Sequence, residues 1–418
     1  MPENRTLILA DDLTGANDTA IQFFKQGLSS LVITHSTETN AEAFTHYHVI
    51  SINSNSRGIN ADEAYQVVHE TVKRLGDGYF VYKKVDSVLR GNPGRELAAV
   101  MNALGIPLAL VAPSFPANRS VVEKGMLYSG GETNSGGIDA IQVFADGTGW
   151  KTENIPLEEI RRGVGAVTEF INSHNKGGKR IFVADALTDE DLGTISEASA
   201  SLGKPHVLAG SAGLAGQLAR RIGKEKPVSV KKPSGLSTAL VIAGTRQGET
   251  AAQINALSRE FPIPVIQFKV SLVAAGKTEQ AIAEAYDAAS RHMRQNSKLC
   301  VIAVESMFHN GVPAGETVQD YAEGDSTSFA ISEALSVLTE KLMDSFSFPV
   351  ILSTGGDISL GICRRLGISA IEPLAEICPG IPLGRITGGA RDGHFIITKS
   401  GRFGNPDSLV EIFNYVRS

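Results

Sequence analysis

Short apolar runs recur from one end of the chain to the other, each closing on a small, polar or charged residue. In the first half they occupy residues 6–10, 79–82, 108–112, 180–184 and 206–209, with a strand-like run at 49–52; in the second half they occupy 239–243, 265–268, 299–303 and 350–352. Uninterrupted runs of this length, rich in Val and Ile, predict parallel strands buried on both faces. Segments with helical spacing of apolar positions lie between them, clearest at 250–257, 328–343 and 358–366. This alternation predicts an α/β fold of two domains, each a mainly parallel sheet flanked by helices.

The pattern breaks in two places. Residues 224–235 are polar, carry Pro227 and Pro233, and separate a helical segment from a fresh strand, so they read as a linker. A boundary near residue 232 gives a domain over 1–232 and another over 233–418. Residues 129–150 open on a Ser/Gly/Asn-rich stretch and read as an exposed loop or lid of the first domain.

Composition narrows the function. The chain has 418 residues, 39 Lys plus Arg against 45 Asp plus Glu, and a formal net charge of −6. No basic block is present to neutralise a run of phosphates, which argues against a nucleic-acid partner. Cys300, Cys363 and Cys378 are odd in number and far apart, so neither a disulfide framework nor a structural zinc is expected. The opening apolar run is too short for a signal or a membrane span, and the cytoplasm is the expected location.

In open α/β sheets ligands bind beyond the carboxyl ends of the strands, so chemistry is sought there. The first such place holds Asp11, Asp12, Thr14, Gly15, Asn17 and Asp18. Paired carboxylates at a strand end can accept hydroxyl hydrogen bonds, act as a base or hold a metal; the plainer alternative is that Asp12 or Thr14 caps the next helix. The second holds Lys83, Lys84, Val85, Asp86 and Arg90, cations around one carboxylate, a combination suited to a small hydroxylated anion. Surface ion pairing is the competing account. Arg57, after the run at 49–52, is a third candidate cation.

The third group is glycine-rich. The run at 239–243 ends in Gly244 and Thr245, the run at 350–352 in Ser353, Thr354, Gly355, Gly356 and Asp357, and Gly388, Gly389, Gly401 and Gly404 come later. Amides at strand-to-helix turns, with a helix dipole behind them, can cradle phosphate oxygens. An ordinary tight connection explains any one such turn, but not so readily several in one domain. The signature of a P-loop is lacking. Gly210, Gly213 and Gly216 fall one residue out of register with the dinucleotide fingerprint, which argues against hydride transfer.

Taken together, residues 11–18, 83–91, 112–116, 210–213 and 353–357 resemble the four-carbon acid sugar kinases over nearly the whole chain. The resemblance implies an amino-terminal sugar-acid domain and a carboxy-terminal nucleotide domain, with ATP and Mg²⁺ phosphorylating the terminal hydroxyl of a four-carbon sugar acid. By motif it places Asp11, Asp12, Arg57 and Lys83 to Asp86 at the substrate, and Gly244, Thr354 to Asp357 and Gly401 at the nucleotide. The stretch 84–90 is more similar to the aldonate-phosphorylating branch than to the 3-oxo-tetronate branch, making D-threonate the expected substrate and D-erythronate the second choice. Asp12 or Asp86 is the expected base, and Asp357 a candidate Mg²⁺ ligand. The rival from another class is a non-catalytic module that binds a sugar acid or a nucleotide. Oligomeric state is not legible, as no heptad repeat appears.

Overall fold

The computed structural model describes residues 5–35, 46–130, 136–223, 233, 236–295, 297–309, 312–313 and 326–417. The chain divides into two compact units, Met1–Val228 and Ser229–Ser418. The segment 224–235 read as a linker lies, Pro233 apart, outside the described residues.

The amino-terminal unit runs β1 (Thr6–Ala10), α1 (Leu13–Lys25), β2 (Ser30–Ile33), β3 (Val49–Asn53), α2 (Ala61–Leu75), β4 (Phe80–Lys84), α3 (Pro93–Leu104) and β5 (Leu108–Ala112). It continues through β6 (Ser120–Glu123), β7 (Met126–Ser129), β8 (Ile138–Asp139), α4 (Ala140–Thr148), β9 (Lys151–Ile155), α5 (Leu157–Arg161) and α6 (Val164–His174). It ends with β10 (Arg180–Ala184), α7 (Asp189–Ser201), β11 (Val207–Gly210) and α8 (Ala212–Ile222). Its strands lie in the order β2-β3-β1-β4-β11-β5-β10-β9, every neighbouring pair parallel. The strands β1, β3, β4 and β5 are buried at every residue, as a sheet covered on both faces requires. On one side Ile8, Tyr82, Leu110, Phe182 and Leu208 pack with Leu192, Leu214 and Leu218 of α7 and α8. Each such side chain contributes about 1.5–3 kcal/mol by leaving water.

Two local expectations need correction. Strand β4 does not stop at Tyr82 but continues through both lysines, which are buried within it. The stretch 129–150 is not irregular throughout: residues 131–135 lie outside the described residues, but 138–148 form β8 and α4. Asp139 caps α4 by accepting from the Gln142 N–H at 2.9 Å, and Ala140 and Phe144, one turn apart, bury its inner face.

The carboxy-terminal unit runs β12 (Ala239–Ala243), α9 (Gly248–Glu260), β13 (Val265–Phe268), α10 (Val270–Ala274), α11 (Thr278–Met293), β14 (Leu299–Val304), β15 (Phe308–His309), β16 (Val312–Pro313) and α12 (Ser326–Ser345). Then come β17 (Val350–Thr354), α13 (Gly356–Arg365), β18 (Ala370–Cys378), β19 (Ile381–Thr387), β20 (Phe395–Lys399) and α14 (Ser408–Arg417). Its strand order is β13-β14-β12-β17-β20-β19-β18. The pairs from β13 to β20 are parallel, and β19 and β18 add an antiparallel hairpin. All three cysteines are free and buried, and no helix among the described residues is long and apolar enough to cross a membrane.

Candidate functional site

In the amino-terminal unit β1 lies between β3 and β4, with Leu9 level with Ile52 on one side and Lys83 on the other. The residues beyond the three strand ends therefore converge at one edge: Asp11 and Asp12 after β1, Arg57 after β3, Val85 and Asp86 after β4. The Ser54 and Ser56 N–H groups donate to the carbonyls of Ala10 and Asp11 at 2.8 and 3.0 Å, which steers the loop after β3 over the end of β1. Asp12 does cap α1, its Oδ1 accepting from the Gly15 N–H at 2.8 Å. Its Oδ2 accepts from Thr14 Oγ1 at 2.5 Å and from Arg57 Nη1 at 2.7 Å, so the capping residue also belongs to the Arg57 cluster.

Arg57 is the hub. Its Nε and Nη2 each donate to Asp11 at 2.8 Å, a bidentate pair, and Nη2 also lies 3.5 Å from Asp86 Oδ1. Burial opposes ionisation of Asp11, but Arg57 outweighs it, with Lys83 and Lys84 assisting, and holds the carboxyl below the usual range. Arg90 grips Asp86 through Nε and Nη2 at 3.0 and 3.1 Å. Asp86 is likewise kept well below the ordinary carboxylate range, against burial, by Arg57 first and then Arg90. Gly91 sits against this hub with φ of +79°, and a Cβ there would meet Arg57 Cγ at 3.1 Å and Asp11 Oδ2 at 3.3 Å. A side chain would be both strained and crowded.

The adjacent lysines part company, because successive side chains of a strand face opposite sides. Lys83 is wholly buried, pairs with Glu96 Oε2 of α3 at 2.7 Å, and donates to the carbonyls of Leu9 and Lys84 at 3.2 and 2.6 Å. Ser56 Oγ donates to the other Glu96 oxygen at 2.7 Å. Lys83 thus braces the ends of β1 and β4 from behind rather than offering a free charge. Lys84 is 3% exposed, its Nζ close to Gly15 of α1, and it makes no hydrogen bond or ion pair among the described residues. Val85 is buried, its N–H spent on the Gly210 carbonyl at 2.9 Å.

The sequence pattern gives no role to Glu96, because an acid in a helix first turn reads as a partner of the dipole. Asp18 stands among the acids after β1 with no role of its own assigned by the pattern. It is 3% exposed, and burial raises its carboxyl to about 7 despite the pull of Lys84.

In the carboxy-terminal unit the register sets Ala243 level with Thr354 and Thr354 level with Lys399, so the turns after β12, β17 and β20 stand side by side. Gly244 is explained by packing: a Cβ would fall 2.4 Å from Ile358 Cγ1 of α13. Gly401 lies against Thr245, whose Oγ1 a Cβ would meet at 2.3 Å. Gly355 adopts φ of +103° at the start of α13, and a Cβ there would stand in ordinary contact with Ile358 Cγ1 at 3.6 Å and Thr245 Cβ at 4.0 Å, so the backbone conformation rather than crowding calls for glycine. Gly356 and the exposed Asp357 form the first turn of that helix. Ser353 Oγ lies 2.8 Å from Ser359 Oγ, whereas Thr354 Oγ1 is buried without a hydrogen-bond partner. An orphaned hydroxyl beside a glycine turn of positive φ and a helix N-terminus suits a phosphate group. No group of three or more His, Cys, Asp or Glu fit for a metal ion occurs among the described residues.

Two of these assignments can be measured directly. Lys83→Met leaves the Glu96 carboxylate buried and unpaired and should cost about 3–5 kcal/mol in urea unfolding, most of it recovered in Lys83→Met/Glu96→Leu; a double variant as unstable as the summed singles would contradict the pairing. Because Asp18 titrates near 7 in the folded protein against 3.8 ordinarily, the fold holds a proton that the unfolded chain releases. The stability of the wild type relative to Asp18→Asn should therefore fall as pH rises from about 4 to about 7 and level off above. A difference in melting temperature independent of pH would refute this.

Two family models match the chain: a sugar-binding N-terminal domain over residues 6–218 and a nucleotide-binding C-terminal domain over residues 240–409. Among curated proteins, the chain is 27% identical to a D-threonate kinase of Salmonella typhimurium, covering 99% of this chain and 98% of the relative. It is 27% identical to a D-erythronate kinase of Heliobacterium modesticaldum, over 99% and 97% of the two chains. It is 26% identical to a 3-oxo-tetronate kinase of Burkholderia multivorans, over 96% and 94%. Matched by both models in the expected order, the chain belongs to the four-carbon acid sugar kinase family and is a carbohydrate acid kinase.

Proposed function

We propose that this kinase uses ATP and Mg²⁺ to phosphorylate the terminal hydroxyl of D-threonate, giving 4-phospho-D-threonate. The observation that carries the substrate class is the Lys84 ammonium, buried and unpaired among the described residues, beside Asp11, Asp12 and Asp86, which already have guanidinium partners, and Asp18, which burial leaves largely protonated below about pH 7. A desolvated ammonium favours an anionic partner strongly, and the substrate carboxylate supplies one. Asp11, Asp12 and Asp86, ordered by Arg57 and Arg90, then read the hydroxyls, with Val85 fixing the strand end.

Of the two carboxylates considered for the proton, the side chain of Asp12 is the more open, at 13% against 8% for Asp86. Asp86 is a poor base because two guanidinium groups depress its proton affinity. Asp12 is accordingly assigned the proton of the terminal hydroxyl, and Asp86 an orienting role. In the other unit Gly244, Thr245, Ser353, Thr354, Gly355, Gly356 and Gly401 line the nucleotide turns. Mg²⁺ neutralises phosphate charge when bound, with Asp357 its candidate protein ligand.

The test is ADP release over a panel of four-carbon aldonates, with and without Mg²⁺. D-threonate should give the highest kcat/KM, D-erythronate less, and omission of Mg²⁺ should abolish turnover. Asp12→Asn should lower kcat by about 10²–10⁴-fold, while Asp86→Asn should act mainly on KM. Highest kcat/KM with D-erythronate or a 3-oxo acid would move the substrate assignment, and wild-type kcat in Asp12→Asn would remove that residue from the chemistry.

A further inference from the structure

Lys399 closes β20 and is wholly buried. It makes no ion pair among the described residues, and the carboxylate whose charge it feels is Glu249 of α9. Instead its Nζ lies among oxygens, 3.1 Å from Thr250 Oγ1, 2.9 Å from the Ser400 carbonyl, 3.3 Å from that of Gly401 and 3.0 Å from that of Phe403. Two side chains of α9 pull on the same loop. Thr250 Oγ1 donates to the Gly401 carbonyl at 2.7 Å, and Gln253 Nε2 donates to the carbonyls of Phe403 and Asn405, both at 3.0 Å.

So many inward-turned carbonyls have a consequence on the other side of the chain. In a trans peptide the N–H of residue i+1 points opposite to the carbonyl of residue i, and no cis peptide occurs among the described residues. Drawing the carbonyls of 400, 401 and 403 towards Lys399 therefore turns the N–H groups of Gly401, Arg402 and Gly404 away from it. Successive amides presented on one side make an anion-binding concavity. The Phe403 N–H is not among them, as it closes a turn on the Ser400 carbonyl at 3.1 Å. Burial opposes the charge of this ammonium and draws its pKa down to about 7, while its four oxygen partners need a donor that no apolar side chain supplies.

We propose that Lys399, with Thr250 and Gln253, is a positioning residue for nucleotide binding, turning the amides of Gly401, Arg402 and Gly404 towards the phosphate chain of ATP. This rests on reading the carboxy-terminal unit as the nucleotide site. Lys399 touches neither substrate; it acts through the loop.

The experiment compares wild type with Lys399→Met, Thr250→Val and Gln253→Leu in the full chain, measuring kcat, KM for ATP, KM for the sugar acid, and the rise in melting temperature caused by Mg-ATP. Lys399→Met should raise KM for ATP by about tenfold or more, the effect of losing one to two well-placed hydrogen bonds, and leave KM for the sugar acid within about twofold. Thr250→Val and Gln253→Leu should shift KM for ATP in the same direction by less, and they carry the test if Lys399→Met does not fold. A lowered melting temperature with unchanged KM for ATP and undiminished protection by Mg-ATP would show a purely structural role and overturn the proposal. Absence of protection in the wild type itself would instead overturn the nucleotide reading on which it rests.

Discussion

A single guanidinium makes the amino-terminal edge possible. Three carboxylates at the ends of neighbouring strands would repel one another and resist burial, and Arg57 answers all three, with contacts of 2.8 Å to Asp11, 2.7 Å to Asp12 and 3.5 Å to Asp86. A lysine in its place would serve as a point charge without the planar fork that reaches several acceptors at once. Arg57 is itself held firmly protonated: burial works against its charge, and Asp11, Asp12 and Asp86 more than compensate. With Arg90 on Asp86 and Lys83 on Glu96, these acids are matched, while Lys84 makes no ion pair among the described residues and acts on the buried Asp18 only through its charge.

The carboxy-terminal unit solves a different problem by similar topology. Parallel neighbours β12, β17 and β20 end level with one another, so turns separated by more than a hundred residues meet without any long-range design beyond strand order. What each turn offers is backbone rather than charge. The buried cation there, Lys399, spends its protons on loop carbonyls. Lys83 and Lys399 thus both act as internal braces, one through a carboxylate and the other through loop carbonyls.

The architecture is legible in the sequence because buried parallel strands announce themselves as continuous apolar runs, and the site is legible because its residues come directly after those runs. Asp86 can be picked out on that ground, and Arg57 only as a further candidate, since it stands five residues past its run. Spacing cannot show that Lys83 and Lys84 divide the work, since the alternation separating them appears only once β4 is seen to include both. Nor can it reveal Glu96, whose partner is supplied by a neighbouring strand. The helix at 140–148 is obscured by the Ser/Gly/Asn-rich stretch before it, although the Asp139 cap and the Ala140/Phe144 spacing are there to be read. Lys399 carries the same signal as Lys83, a cation ending an apolar strand, but the glycines after it mask that signal.

If the Arg57 fork orders the acids proposed to receive the sugar acid, its planar geometry is needed for substrate binding. Calorimetric titration of D-threonate into wild type and Arg57→Lys tests it most directly. The fork's loss should weaken binding by about ten- to a hundredfold while the affinity for Mg-ATP holds. Equal D-threonate affinity in the two proteins would show that the fork plays no such part.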